Sequence, residues 1–302
     1  MLVWVPDHAE ADRLQSVEGA EVKRVSFDRE PGDDPDRVEV IVPPPVGSKQ
    51  VDFGGLPRLR LVQTLSAGVD RYAGRIPAGV TLARGGGVHD IAVSEWVLAV
   101  ILASNRCLPE HRDDQHAHRW ERMYEARELQ DARVLIVGAG AIGQAVAERL
   151  GPFGSHVAMV TRTGRDGTHA IAELPSVLPD ADVVVLLVPL TDETRGLLDA
   201  DMLARMGDGA LLVNAARGPV VVTEALEAEL RAGRLRAALD VTDPEPLPPG
   251  HTLWDAPGLL LTPHVGGSSP RWVARGYDLV ADQLERLREG RPLRYVVGDG
   301  GY

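Results

Sequence analysis

The chain has 302 residues, a formal charge of −12 at pH 7 and a single cysteine, with 44% of its residues apolar, enough for sizeable cores. That length suits about two domains of roughly 100–150 residues each. The acidic balance argues against a general nucleic-acid surface and against docking on anionic lipid, both of which need clustered positive charge. Cys107 alone cannot close an internal disulfide, which fits a reducing compartment. The start, Met1-Leu2-Val3-Trp4-Val5-Pro6-Asp7, lacks the basic region and long apolar core of a signal peptide, and no apolar run approaches the ~20 residues of a membrane span. A cytoplasmic chain with no membrane or nucleic-acid partner is expected.

In chain order, short apolar runs predict strands over 2–5, 38–42, 59–65 and 80–83, with a helix near 8–17. Successive prolines at Pro43, Pro44 and Pro45 exclude a normal helix there. From Ile91 to Arg106, Val93, Trp96, Val97, Val100 and Ile101 recur at helical spacing and predict a buried helix that leads into a second domain. Residues 107–130 are polar and read as a solvated connection with some helix. Strands follow over 133–137, 156–160, 182–188, 210–214, 237–241 and 259–261, alternating with helices over 141–150 and 224–232, the latter with Thr223 as N-cap. A final helix opens with Ser269 as N-cap and Pro270, carries Val273, Tyr277, Val280, Leu284 and Leu287, and stops at Gly290. This alternation implies an α/β protein with a doubly wound parallel sheet and a smaller α/β domain beside it.

Gly138-Ala139-Gly140-Ala141-Ile142-Gly143 follows the strand 133–137 and opens an amphipathic helix, the context that makes a Gly-rich turn a dinucleotide fingerprint. Gly138 serves the tight turn, Gly140 a close approach of the pyrophosphate, and Gly143 the packing of helix on strand; N–H groups near Ala141 and Ile142 meet the negative charge. At the end of the next strand an NAD site usually places an acid for the ribose hydroxyls. Thr161, Arg162 and Thr163 stand there instead, and hydroxyls with a guanidinium suit a 2′-phosphate. NADPH is therefore expected over NADH.

Three polar residues then end three separate strands: Arg217 in Asn214-Ala215-Ala216-Arg217-Gly218, Glu245 after Asp243-Pro244, and His264 in Thr262-Pro263-His264. Open α/β sheets bind ligands at the carboxyl edge, so these three are expected to meet. Arg217 can fork onto a carboxylate and a carbonyl oxygen. His264 can donate a proton at neutral pH, and Glu245 can orient its ring and stabilise the imidazolium, with Asp243 as a rival. Asp240 ends its strand and can accept from a nicotinamide carboxamide. His111, His116 and His118 read as solvated, since no ligand-rich partner segment follows them.

From about Leu59 onward the chain resembles the D-isomer-specific 2-hydroxyacid dehydrogenases, most nearly the short glyoxylate/hydroxypyruvate or 2-ketoacid reductases. The likeness runs through Gln63-Thr64-Leu65-Ser66-Ala67-Gly68-Val69-Asp70, the fingerprint, Val188-Pro189-Leu190-Thr191-Asp192-Glu193-Thr194-Arg195-Gly196, and the three segments just named. It implies a Rossmann cofactor domain, 92–270, inserted into a flavodoxin-like substrate domain, 1–91 with 271–302, with residues 92–106 and 268–288 as linking helices. It implies catalysis by Arg217, Glu245 and His264 on a small 2-oxo acid, yielding the D-2-hydroxy acid. The substrate carboxylate would meet backbone N–H groups near Ser66, Ala67 and Gly68. Val188, Pro189, Ala215, Asp240 and Gly266 would line NADP or NAD, and homodimers would pair through the cofactor domain.

Arg84 stands where the family often has Asn, and Gly85 to Gly87 suggest a loose segment. Formate dehydrogenases of this type carry Gln at the position of Glu245, and phosphite dehydrogenases a lysine that residues 66–71 lack; a cofactor-sensing corepressor of the same fold is the rival outside catalysis.

Overall fold

The computed structural model describes residues 1–27, 34–44, 51–72, 74–165 and 167–298. Pro45 and the residues that follow it to 50 lie outside the described residues, as do 299–302. Two compact units divide the chain: Met1–His89 with Ser269–Tyr302, and Asp90–Ser268.

Among the described residues the first unit holds five parallel strands, β1 (Leu2–Pro6), β2 (Glu21–Val25), β3 (Val38–Ile41), β4 (Leu61–Gln63) and β5 (Thr81–Ala83), in the order β2-β1-β3-β4-β5. This 2-1-3-4-5 order is the flavodoxin-like one. Alternation along β1 sends Val3 and Val5 into a cluster with Leu14, Tyr277 and Leu284, and Leu2 and Trp4 into another with Phe53 and Tyr72. β2 was missed in the sequence. Its residues Glu21-Val22-Lys23-Arg24-Val25 are only partly buried, because it is a sheet edge that charges keep from pairing with other chains. The predicted helix near 8–17 is a 3-10 helix, Ala9–Ser16, with the His8 ring accepting from the Glu10 N–H at 3.1 Å. The C-terminal helix, Trp272–Glu289, starts with Arg271 as N-cap, two residues later than expected, and ends at Gly290 with φ 67°. Beyond it the chain returns to β5, where Ala83 bridges Val296.

The second unit holds β6 (Arg133–Val137), β7 (His156–Thr161), β8 (His169–Ala170), β9 (Val183–Leu186), β10 (Leu211–Asn214), β11 (Arg236–Leu239) and β12 (Leu259–Leu261). All pairings are parallel, in the order β12-β11-β10-β9-β6-β7-β8. Counted from β6, this is the doubly wound Rossmann order, with the strand order reversing between β6 and β9. One face buries Val134, Ile136, Val183 and Val213 under α1 (Asp90–Asn105) and a later helix, Ala141–Leu150. The other buries Leu135, Val137, Val184 and Leu212 with Leu226 and Leu230 of the helix Thr223–Arg231. Each fully buried aliphatic side chain contributes roughly 1.5–3 kcal/mol, so the near-continuous apolar runs fix this sheet. Thr223 does not cap its helix. Val222 is the N-cap, and the Thr223 hydroxyl donates to the Asp243 carbonyl at 3.0 Å.

Between α1 and β6, α2 (Leu108–His116) leads into an irregular segment braced by one buried carboxylate. Asp114 accepts from Arg119 Nε at 2.8 Å and from the Tyr124 hydroxyl at 2.7 Å. Those bonds, the tyrosine's first, hold the Asp114 carboxyl below the usual carboxylate range, and the bond to Asp114, with burial, pushes the Tyr124 phenol up to about 12. Among the described residues no single helix is long and apolar enough to cross a membrane.

Candidate active site

The parallel sheet of the second unit gathers its strand ends at one edge, and the expected residues from Gly138 onward lie along it. Gly138 follows β6 with φ 116°, and a Cβ there would come 2.7 Å from the Leu187 carbonyl oxygen. A Cβ on Gly143 would strike the Gly138 carbonyl. Gly140 differs: its φ is −72° and nothing lies within 4 Å of an added Cβ. Neither its backbone conformation nor its neighbours demand a glycine. Open space there fits a ligand that must approach the backbone closely. No side chain caps the helix starting at Ala141, so its first N–H groups, including those of Ala141 and Ile142, are left for such a ligand. A dinucleotide pyrophosphate meets both conditions.

At the end of β7, the Thr161 hydroxyl lies 2.9 Å from that of Thr168 and accepts from the Gly164 N–H at 3.0 Å. Arg162 and Thr163 are exposed beside it. Val188 and Pro189 follow β9, and Ala215 follows β10; all three are half-buried.

The segment 214–218 is shaped by two neighbours. Buried Asn214 donates through Nδ2 to the Arg217 carbonyl at 3.1 Å and accepts from the Ala216 N–H at 3.0 Å. A Cβ on Gly218 would strike the Thr242 carbonyl and come 2.6 Å from the Asp243 nitrogen. Only glycine lets the arginine turn lie directly against the segment that carries Glu245. Arg217 is half-buried, and its Nη1 donates to the Ala216 carbonyl at 2.7 Å.

Glu245 and His264 meet. Glu245 Oε1 lies 2.6 Å from His264 Nδ1, with both side chains partly exposed. Asp243, the rival acid, is exposed and contributes only its carbonyl, to Thr223. The imidazole projects from a residue with φ 55°, a left-handed conformation that costs a non-glycine residue roughly 1–2 kcal/mol. Asp240 holds it there. Its Oδ1 accepts from the Thr262 hydroxyl at 2.6 Å and the Val265 N–H at 2.8 Å, and its Oδ2 from the Gly266 N–H at 2.8 Å. Its carbonyl accepts from the His264 N–H at 2.7 Å. Thr262 in turn accepts from Trp96 Nε1 of α1 at 3.1 Å. Asp240 is therefore committed to the histidine loop, a role the sequence reading did not give it, and Trp96, Thr262 and Asn214 were missed as supports. Only the apolar spacing of α1 had singled out Trp96, and as core.

Ser66, Ala67 and Gly68 belong to the first unit, in the turn after β4, and are half-buried. The Ser66 carbonyl accepts from the Thr64 hydroxyl at 2.9 Å and from the Gly85 N–H at 2.8 Å. Gly85 and Gly86 are closely packed rather than loose: a Cβ on Gly85 would hit the Leu65 backbone, and one on Gly86 would lie 2.5 Å from the Tyr295 ring. His111, His116 and His118 are exposed, and no metal-binding cluster occurs among the described residues.

Residues 98–266 match the family model described as D-isomer specific 2-hydroxyacid dehydrogenase, NAD binding domain. The chain belongs to the D-isomer-specific 2-hydroxyacid dehydrogenase family. It is 32% identical to glyoxylate/hydroxypyruvate reductase A of Yersinia enterocolitica, over 81% of this chain and 82% of that one. It is 30% identical to the chloroplastic/mitochondrial formate dehydrogenase of Arabidopsis thaliana, over 80% of this chain and 67% of that one. An NADPH-dependent glyoxylate/hydroxypyruvate reductase of Sinorhizobium meliloti, solved with NADP and sulfate, superposes with a TM-score of 0.86 at 29% identity, over 100% of this chain and 99% of that one. As a family member the chain is an NAD(P)-linked oxidoreductase with a Rossmann cofactor domain.

Proposed function

We propose that this dehydrogenase reduces a small 2-oxo acid of the glyoxylate or hydroxypyruvate kind to its D-2-hydroxy acid, with NADPH preferred over NADH. The observation that carries the reading is the 2.6 Å contact between Glu245 and His264 at the carboxyl edge of the sheet. A bound nicotinamide supplies the hydride. His264 delivers the proton to the carbonyl oxygen through Nε2, because Nδ1 faces Glu245. Glu245 orients the ring and balances the imidazolium. Arg217 forks onto the carboxylate and carbonyl oxygens and polarises the carbonyl. Backbone N–H groups of the turn at Ser66, Ala67 and Gly68 take the substrate carboxylate. Ala141, Ile142 and the three glycines hold the pyrophosphate; Thr161, Arg162 and Thr163 take the 2′-phosphate; Val188, Pro189, Ala215, Asp240 and Gly266 border the ring.

An acid–imidazole pair suits a reaction that moves a proton, which formate oxidation does not require. Assembly as a homodimer through the cofactor domain is supported by Trp120 and Met123, which are 87% and 88% exposed on the segment that Asp114 braces. A cytoplasmic setting is consistent with the acidic, single-cysteine composition. NADPH and NADH oxidation followed with glyoxylate, hydroxypyruvate, pyruvate and longer 2-oxo acids tests the reading. Turnover with glyoxylate or hydroxypyruvate is expected; inactivity with every 2-oxo acid would overturn it in favour of a cofactor-sensing binding protein.

A further inference from the structure

The second unit also has an amino edge, opposite the one that carries Arg217 and His264. There, beside the starts of β6, β9 and β11, lies a cavity of about 260 Å³ whose walls include Asn105, Arg127, Asp131, Asp182 and Arg236. That is several times the ~30 Å³ a water molecule occupies in the liquid. It is room for a small molecule with its hydration.

Two guanidiniums share this wall. Arg236 is half-buried and donates from Nε to the Gly209 carbonyl at 3.2 Å, from Nη1 to the Ser104 carbonyl at 3.0 Å and from Nη2 to Asn105 Oδ1 at 3.2 Å. Arg127, also half-buried, donates from Nη1 to the same Gly209 carbonyl at 2.7 Å. Every one of these acceptors is neutral. Among the described residues no carboxylate forms an ion pair with either arginine. The acids on the wall are engaged elsewhere: Asp182 accepts from the Arg133 N–H at 2.8 Å, and Asp131 from Gln130 Nε2 at 3.0 Å. Glu128 is exposed.

Charges withdrawn from water are normally paired, and two like charges side by side raise the cost. Burial first, and then the positive charge of Arg127, lower the Arg236 pKa from the ordinary arginine value, with Cys107 and Glu110 opposing less. Yet the local fold keeps the two cations together. Gly209 has φ 74°, and a Cβ there would strike the Arg127 guanidinium, so the turn before β10 is shaped around it. A guanidinium has five N–H donors. Arg236 spends three of them and Arg127 one on the bonds above. The Asn105 side chain accepts through its oxygen and keeps its NH₂ as a donor.

We infer that Arg127, Arg236 and Asn105 form a second binding site, for a small oxyanion such as phosphate or a compact carboxylate, at the amino edge of the cofactor sheet. Fork-shaped donors match both anions. The site is separate from the carboxyl edge and does not depend on the oxo-acid reading. β11 begins at Arg236 and runs directly to Asp240, so an anion here meets the strand that also positions the histidine loop.

The test uses the full chain saturated with NADP, so that anions cannot respond to the fingerprint turn. Thermal unfolding is followed during a titration with inorganic phosphate, against sodium chloride at matched ionic strength. A saturable rise of roughly 2–4 °C is expected from mass action on a chain of this size. Arg127→Gln and Arg236→Gln should each abolish it, and Arg195→Gln, an exposed arginine at the other edge, should keep it. Arg127 gives up only one hydrogen bond, so its variant decides if Arg236→Gln fails to fold. A response unchanged in Arg127→Gln, or responses to phosphate and to malonate that are both no greater than that of chloride, refutes the site. So does an Arg127→Gln protein that changes its self-association while wild type ignores both anions; the arginines would then seat a carboxylate of a second copy. Titrations with malonate in place of phosphate tell the carboxylate source from the phosphate one, and a response to either that needs both arginines supports the proposal.

Discussion

Asp240→Asn tests how the histidine loop is held. The carboxylate accepts three bonds, from the Thr262 hydroxyl and the Val265 and Gly266 N–H groups. An amide has one oxygen and one NH₂. If its oxygen keeps Thr262 and Val265, its NH₂ faces the buried Gly266 N–H, donor against donor; the opposite flip forfeits two bonds instead of one. Losing a charge-assisted bond and stranding a buried donor costs about 2–4 kcal/mol. Asp240 is only 4% exposed, so water cannot readily make up the loss. His264, strained at φ 55°, sits between the residues that let go, and its ring should drift from Glu245. Displacements of about 1 Å at reacting groups can cost on the order of 100-fold in rate. The urea midpoint of unfolding and kcat for 2-oxo acid reduction are the measurements, with Asp243→Asn, whose side chain is exposed, as the control. If Asp240→Asn matches wild type in both while Asp243→Asn does the same, the carboxylate does not hold the loop and this account of the site is wrong.

Four other outcomes follow from named groups. His264→Ala should lower kcat by roughly 10²–10⁴-fold, the usual contribution of a general acid; wild-type turnover would remove it from the mechanism. Arg162→Ala should cost about 10–100-fold in kcat/KM with NADPH and little with NADH, as expected for one charge-assisted bond to a 2′-phosphate, and equal losses with both cofactors would refute the assignment. In sedimentation velocity, wild type should sediment as the proposed dimer and Trp120→Arg as a monomer; a monomeric wild type, or a variant that sediments like wild type, would refute that assignment. Tyr124 should titrate near pH 12 by ultraviolet absorbance, in the same range as buried Tyr277, so Tyr124→Phe should reduce this late component and leave the share of Tyr277. A folded pKa raised above the ordinary ~10 means that its stabilisation is complete below pH 10 and is lost as the pH rises towards 12, so the variant should show a smaller loss of stability over that window.

Much of this architecture is legible because the second sheet is parallel and buried on both faces. Such strands must be short apolar runs, and in them the first residue to break the run marks the carboxyl edge. Arg217, Asp240 and His264 each fall just past such a run. What stayed hidden is whatever depends on a contact between segments rather than on a pattern within one. Thr223 and Ser269 both look like N-caps, but the Thr223 hydroxyl is turned to the Asp243 carbonyl, and that of Ser269 accepts from Arg275 at 3.3 Å. β2 went unread because an edge strand carries charges where a central strand carries valines.

The same distinction separates two kinds of glycine in the site. Gly138 and Gly143 are required by this chain's own backbone, as the atoms their Cβ groups would meet make plain. Gly218 belongs with them, for it admits the segment bearing Glu245 against the arginine turn. Gly140 has no such reason: its φ is ordinary and its surroundings are open. A fingerprint read in sequence treats all its glycines as one signal. Coordinates divide them into those that fold the turn and one whose purpose is external. Gly140→Ala should therefore leave the melting temperature at or slightly above wild type, since alanine restricts the unfolded chain more. The same change should weaken binding of the dinucleotide. Substitution at Gly143 should damage both together, because the helix could no longer reach the strand.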